Sequence, residues 1–150
     1  MEGSTRIAFL SSLFFSFLFI CDAVDTITVN TSLTDGNYVV SSGGTFQMGF
    51  FSPDNSNNRF LGIWYKQISV RTVVWVANRD TPFNDTSGAL KLTEKGNLIL
   101  VNSTNDVVIW SSNSTSVSTS PVVELLDSGN LVVRGTSDGN YIWQSFDNPT

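Results

Sequence analysis

Apolar and polar residues alternate in short runs along most of this chain, and the runs are separated by Gly, Asn, Asp and Ser. The clearest are NYVVSSGGTFQMGFFSP (37–53), NRFLGIWY (58–65), RTVVWVAN (71–78), ALKLTEKGNLILV (89–101), PVVELLDSGNLVVR (121–134) and NYIWQSF (140–146). A period of two bounded by turn residues predicts β-strands, and no sustained 3.6-residue period occurs after the first 23 residues. TEKGN (93–97) and LDSGN (126–130) each lie between two runs, so both read as hairpin turns with Gly96 and Gly129 at positive φ. Along the strands that follow, Leu98 and Leu100 share one face, as do Leu131 and Val133. Arg134 alternates with the second pair, so the leucine faces are the ones expected to be buried.

The pattern repeats at a larger scale. GNLILVNSTNDVVIW (96–110) returns 33 residues later as GNLVVRGTSDGNYIW (129–143). Read backwards, WVAN (75–78) matches WSSN (110–113) and, more loosely, WQSF (143–146). A unit of this length cannot bury its own apolar face, so three are expected to share one core. The expected fold is all-β: three small antiparallel sheets in pseudo-threefold arrangement around a central core of Trp75, Trp110 and Trp143. SSNSTSVSTS (111–120) and SPDNSNN (52–58) fall inside this register and read as surface loops.

The first 23 residues stand apart. A short polar start with Arg6 precedes the apolar run Ile7–Ile20, and Cys21-Asp22-Ala23 offers a small-residue cleavage site. This is the anatomy of a secretory signal peptide, with an uncleaved anchor as the alternative, and the run is short for an ordinary membrane span. The expected organisation is a leader over 1–23 and one domain over 24–150, secreted, with no membrane helix, no stable membrane insertion and no kinase domain. Cleavage removes Cys21, the only cysteine, so no internal disulfide is expected. An extracellular route also opens four N-glycosylation sequons, at Asn30, Asn84, Asn102 and Asn113.

The net charge of −5 offers no basic patch for nucleic acid or an anionic membrane. The chain has no histidine, which eliminates Ser-His-Asp and Cys-His catalysis and any histidine-containing zinc site. After the leader only Glu94 and Glu124 remain as glutamates, and nothing pairs carboxylates for glycoside hydrolysis. The expectation is a non-enzyme with no metal and no cofactor.

FQMGFFSP, FLGIWYK, VVWVANRDTPF, LTEKGNLIL, LLDSGNLVV and IWQSFDNPT together resemble the bulb-type (monocot mannose-binding) lectin domain, in the version found at the amino terminus of plant S-domain, or G-type lectin, receptor-like kinases. The resemblance runs from about Asp25 to Thr150. It implies a β-prism II fold and a mannose-binding pattern Gln-x-Asp-x-Asn-x-Val-x-Tyr across a hairpin turn. In that pattern the polar residues bond sugar hydroxyls and Val packs on the ring. Aligned on Gly-Asn-Leu, its positions are Thr93, Lys95, Asn97, Ile99 and Val101 in one copy. In the other they are Leu126, Ser128, Asn130, Val132 and Arg134. Only the Asn and the aliphatic residue match in each, and NNRFLGIWYK in the earliest unit does not fit without gaps.

A shallow monosaccharide site at millimolar affinity has about −4 kcal/mol to work with. Each neutral hydrogen bond contributes roughly 0.5–1.5 kcal/mol, so losing three of four polar partners removes most of it. The inherited sites therefore read as degenerate, with Asn97 and Asn130 read also as turn residues. Three functions stay in competition. The first is recognition of a mannose-type glycan. The second is recognition of a protein or peptide, including a receptor-like kinase or a second copy of the chain. Catalysis is the third and the weakest. Trp64-Tyr65 reads either as a sugar-stacking platform or as core.

Overall fold

The computed structural model describes residues 26–149; the leader expected over 1–23 lies outside the described residues. Twelve strands follow in chain order: β1 Thr26–Thr28, β2 Ser32–Thr34, β3 Val39–Val40, β4 Phe46–Phe51, β5 Phe60–Tyr65, β6 Val73–Val76, β7 Gly88–Leu92, β8 Leu98–Asn102, β9 Val108–Ser111, β10 Pro121–Leu125, β11 Leu131–Gly135 and β12 Tyr141–Gln144. A 3₁₀ turn, Ser145–Asp147, closes the series. All pairings are antiparallel and build three four-stranded sheets. The first sheet is β3-β4-β5-β6, the second β2-β7-β8-β9 and the third β1-β10-β11-β12.

The leucine faces point inward, as their alternation predicts. Leu98, Leu100, Leu131 and Val133 are buried and join Met48, Leu61, Ile63 and Leu90 in one core shared by all three sheets. On the axis, Trp75, Trp110 and Trp143 meet edge to face, with ring centroids 5.8, 5.9 and 6.0 Å apart. Gly96 and Gly129 turn their hairpins at φ 91° and 84°, a backbone that side-chain-bearing residues rarely adopt.

The residues just after each tryptophan explain why that part of the repeat persists. The Leu61 N–H, at the inner end of β5, donates to Asn78 Oδ1 at 2.9 Å. In the other two sheets the Leu98 N–H donates to Ser112 Oγ and the Leu131 N–H to Ser145 Oγ, both at 3.0 Å. The same amide is satisfied three times by a side chain two or three residues beyond the tryptophan. An unpaired buried amide costs about 1–3 kcal/mol, so each unit needs such a residue.

One feature of the topology is not visible in the repeat. The chain's first three strands are shared among the three sheets rather than forming a unit. β1 completes the third sheet, with Thr26 opposite Glu124, β2 completes the second, with Ser32 opposite Lys91, and β3 begins the first. Polar clasps join the sheets in pairs. Arg59, before β5, forms a two-point ion pair with Asp35, beyond β2, with Nε to Oδ2 at 2.8 Å. Ser114, beyond β9, donates to the Ile142 carbonyl of β12 at 3.1 Å. Asp127, in the β10–β11 turn, accepts the Gly43 N–H of the β3–β4 turn at 2.9 and 3.0 Å.

The Trp75 indole N–H donates to the Asn148 carbonyl at 3.0 Å, whereas the buried Trp143 Nε1 has no partner among the described residues. Both Trp→Phe changes leave a similar void, but only Trp143→Phe removes an unsatisfied donor. Chemical denaturation is therefore expected to show Trp143→Phe costing about 1–2 kcal/mol less than Trp75→Phe. Bonds from the Ser41 hydroxyl, then from the Gly43 N–H, hold the Asp127 carboxyl below its ordinary pKa of 3.8. A depressed folded pKa stabilises above the unfolded value and ceases to do so as pH falls through the folded one. Asp127→Ala is thus expected to lower the melting temperature at neutral pH, and the difference from wild type to shrink as pH drops below 3.8. A gap that stays constant into that acid range contradicts this account of the clasp.

Candidate functional site

With all three inner faces committed to the core, the outer faces are where the sheets can differ. The amide bonded beyond each tryptophan gives a common register: Leu61, Leu98 and Leu131 are equivalent. The outward positions of β5, β8 and β11 can therefore be compared one for one.

On the third sheet this face is closed. Val132 lies opposite Glu124 on one side and Gln144 on the other, outside the main core, yet it is 0% exposed. Arg134 Nε donates to Glu124 Oε2 at 2.9 Å across the same face. Asn130 is 5% exposed and fully engaged. Its Nδ2 donates to Gln144 Oε1 at 2.9 Å, and its Oδ1 accepts the Ser145 hydroxyl and the Phe146 N–H, both at 3.2 Å. Gln144 is held in turn by Asp147, at 2.7 Å. Asn130 therefore braces the start of β11 against the closing 3₁₀ turn. Ser128 is exposed, while Leu126 is half-buried and its N–H closes the turn to Asn130 O at 2.9 Å.

The second sheet is more open. Asn97 is half-buried, and its Oδ1 accepts only a long 3.5 Å contact from Ser112 Oγ. Its Nδ2 has no partner among the described residues. Thr93 holds the turn, with Oγ1 accepting the Asn97 N–H at 3.0 Å. Lys95 is exposed, Ile99 is half-buried between Lys91 and Ser111, and Val101 is buried. Lys91 pairs with Asp106 at 3.5 Å on the surface, which contributes little to stability.

The first sheet could not be laid on the pattern from sequence, because its β4–β5 connection is longer than the other two. The shared register resolves it: Phe60 stands where Asn97 and Asn130 stand, Gly62 where Ile99 and Val132 stand, and Trp64 where Val101 and Arg134 stand. Gly62 pairs with Gly49, leaving a strip without side chains. Aromatic rings lie against it. Tyr38 Cδ1 sits 2.6 Å from where a Cβ on Gly49 would be, and Phe51 Cε1 sits 2.7 Å from the corresponding point on Gly62. Phe51, Trp64 and Val76, with Phe60 and Val73, form a small second core on this outer face. The Arg71 guanidinium covers it, 5.0 Å from the Trp64 ring and 5.8 Å from Phe51.

Trp64 and Tyr65 point to opposite faces and form no joint platform. Trp64 is 5% exposed in the outer cluster, and Tyr65 packs on Phe46 at 4.6 Å beside the main core. The signal for the aromatic outer face was present in FLGIWY, which is apolar on both alternations, and in the consecutive Phe50 and Phe51, and so points to strands covered on both sides. Among the described residues, no three His, Cys, Asp or Glu side chains come together to hold a metal ion. None of the described helices is long and apolar enough to cross a membrane.

A family model described as D-mannose binding lectin matches residues 72–150. The chain is 47% identical over 148 residues to the G-type lectin S-receptor-like serine/threonine-protein kinase RKS1 of Arabidopsis thaliana, covering 97% of this chain and 18% of that protein. It thus spans under a fifth of the length of that relative. Among solved structures, a monomeric monocot mannose-binding lectin from Gastrodia elata superposes with a TM-score of 0.62 at 21% identity, covering 84% of this chain and 99% of the lectin. The mannose-specific agglutinin of snowdrop, Galanthus nivalis, solved with methyl-α-D-mannoside, gives a TM-score of 0.56 at 21% identity over 75% of this chain and 91% of the agglutinin. These superpositions show the fold, the β-prism of bulb lectins. On the family match, and with three sheets around one tryptophan axis, the chain belongs to the bulb-type, D-mannose-binding lectin family.

Proposed function

We propose that the chain is an extracellular carbohydrate-recognition domain whose remaining mannose-type site lies on the second sheet. One contrast carries this reading: Asn97 Nδ2, without a partner among the described residues, beside the partly accessible Ile99, against the engaged Asn130 and the fully covered Val132. A pyranose needs an exposed aliphatic surface and unsatisfied donors, and the second sheet offers one of each. With so few partners a single site binds at about millimolar or weaker. The inherited sites are degenerate in this sense: the scaffold is kept and most of the sugar-bonding groups are replaced. The domain performs no catalysis, and the leader over 1–23 directs it out of the cell.

A second reading, recognition of a receptor-like kinase or of a second copy of the chain, has one observation in its favour. A groove of about 510 Å³ between the first and third sheets is walled by Tyr65, Val74 and Phe146, and Val74 and Phe146 are exposed at 45% and 60%. An apolar strip of that kind suits a protein surface better than a sugar.

Glycan-array binding of the secreted protein separates these roles. Any mannose-type signal is expected to disappear in Asn97→Ala and to persist in folded Asn130→Ala. The Asn130 variant is expected instead to lose about 1–3 kcal/mol of stability, because its partners are left unpaired in the interior. Signal that depends on Asn130 and not on Asn97 reverses the assignment. Silence from a folded chain supports the protein-recognition reading.

Glycan attachment tests the extracellular route. Asn30, Asn84 and Asn113 are exposed, whereas Asn102 is half-buried at the end of β8 and its Oδ1 accepts the Thr104 N–H at 2.9 Å. Glycopeptide mass spectrometry of the secreted protein is expected to find the first three occupied and Asn102 largely bare. Absence of glycan from Asn30, Asn84 and Asn113 contradicts the reading that their exposure makes them acceptor sites.

A further inference from the structure

The outer face of the first sheet, where Phe60, Gly62 and Trp64 occupy the inherited positions, carries a second candidate site of different chemistry. A groove of about 550 Å³ runs between the β4–β5 and β5–β6 connections, with Arg71 on its wall. Three cations of this domain have carboxylate partners: Arg59 with Asp35, Lys91 with Asp106 and Arg134 with Glu124. Arg71 has no acidic partner among the described residues, yet its guanidinium stands over the Trp64 and Phe51 rings, 5.0 and 5.8 Å from their centroids. That combination differs from an ordinary solvated arginine. Stacking on a ring orders the side chain while leaving the in-plane N–H fork free, and the fork matches a carboxylate at two points. Because the rings have already ordered the guanidinium, an anion that binds it loses less to side-chain entropy.

The rest of the groove narrows the ligand. Its walls alternate apolar and short polar groups: Pro53, Val70 and Val73 beside Ser52, Ser69 and Asp54. Val70 is 74% exposed, and nothing in the fold calls for an apolar side chain there. A sugar ring presents this same mixture, a C–H face bordered by hydroxyls. Asp54 disfavours a dense polyanion such as a polyphosphate but accepts hydroxyl donors, so it orients a ligand whose single carboxylate lies at the Arg71 end. We propose that this groove binds a saccharide bearing a carboxylate, a uronic-acid residue held by Arg71 with its hydroxyls toward Ser52, Ser69 and Asp54. The proposal rests on the carbohydrate-recognition reading and names an acidic sugar class at a different face.

The test uses the secreted full chain and trigalacturonate as probe, followed by nuclear magnetic resonance, with mannotriose as neutral control and a sulfated trisaccharide as a second anion. Trigalacturonate is expected to shift the Arg71 side-chain and Trp64 indole resonances, with affinity falling as salt rises. Arg71→Gln is expected to weaken binding about tenfold or more, Arg71→Lys to recover part of it, and Asn97→Ala to leave it unchanged. Equal binding by folded Arg71→Gln overturns the site, as does absence of trigalacturonate binding by folded wild type. Tighter binding of the sulfated sugar overturns the assignment to a carboxylate. Mannotriose binding that needs Asn97, without trigalacturonate binding, sinks this inference while leaving the carbohydrate-recognition reading intact.

Discussion

Three indoles meeting edge to face on one axis set the terms for everything else in this molecule. None of the three sheets has a strand longer than six residues, and a four-stranded sheet of that size cannot hide its own apolar face. The tryptophans solve this jointly, because each ring contacts both others at nearly equal distance. Such a triangle closes only if all three sheets stand at the same depth and angle. The repeated amide bond to Asn78, Ser112 or Ser145 holds each neighbouring strand end at that depth. Edge-to-face aromatic pairs contribute roughly 0.5–1.5 kcal/mol beyond burial, so the triangle serves more to specify geometry than to supply the bulk of stability.

The same constraint frees the outer faces. A residue at the Ile99 position touches its own sheet and solvent but not the axis, so it can change without moving the other two units. The three outer faces have diverged accordingly. On the third sheet an ion pair and an asparagine–glutamine brace seal the valine. The second keeps an open aliphatic patch beside an amide, and the first has become aromatic. Glycines at 49 and 62 made the last change sterically feasible, since a side chain at either position would collide with the Tyr38 or Phe51 ring.

This division also explains what could be read from the sequence. The inner face was legible because it repeats: the leucine alternation, the two glycine turns and the tryptophan spacing all recur under one geometric demand. The distribution of β1, β2 and β3 among three sheets was not, since TIT and SLT carry no sign of which partner they pair with across tens of residues. Nor could the sequence separate Asn97 from Asn130, which share the same Gly-Asn-Leu setting. What separates them lies 14 to 16 residues downstream, where Gln144 and the Phe146 N–H reach Asn130 and the second sheet offers only the Ser112 hydroxyl. Local identity hid a difference made by a neighbouring strand.

Charge placement follows the same logic of sheets that are separate outside and joined inside. Arg59 and Asp35 tie two sheets together, and the Asp35 side chain is only 8% exposed, so that pair belongs to the scaffold. Arg134 and Glu124 lie within one sheet and close a face that the fold leaves open. Arg71 does neither: among the described residues no ion pair ties it to another sheet or to a carboxylate, and it stands over the Trp64 and Phe51 rings. A fold that uses Arg59 and Arg134 for closure has left Arg71 stacked over rings, with no acidic partner among the described residues, at the mouth of a groove. Structure alone does not require that, which makes the first sheet's outer face, rather than the two hairpins that carry the repeat, the part of the molecule most in need of a ligand to explain it.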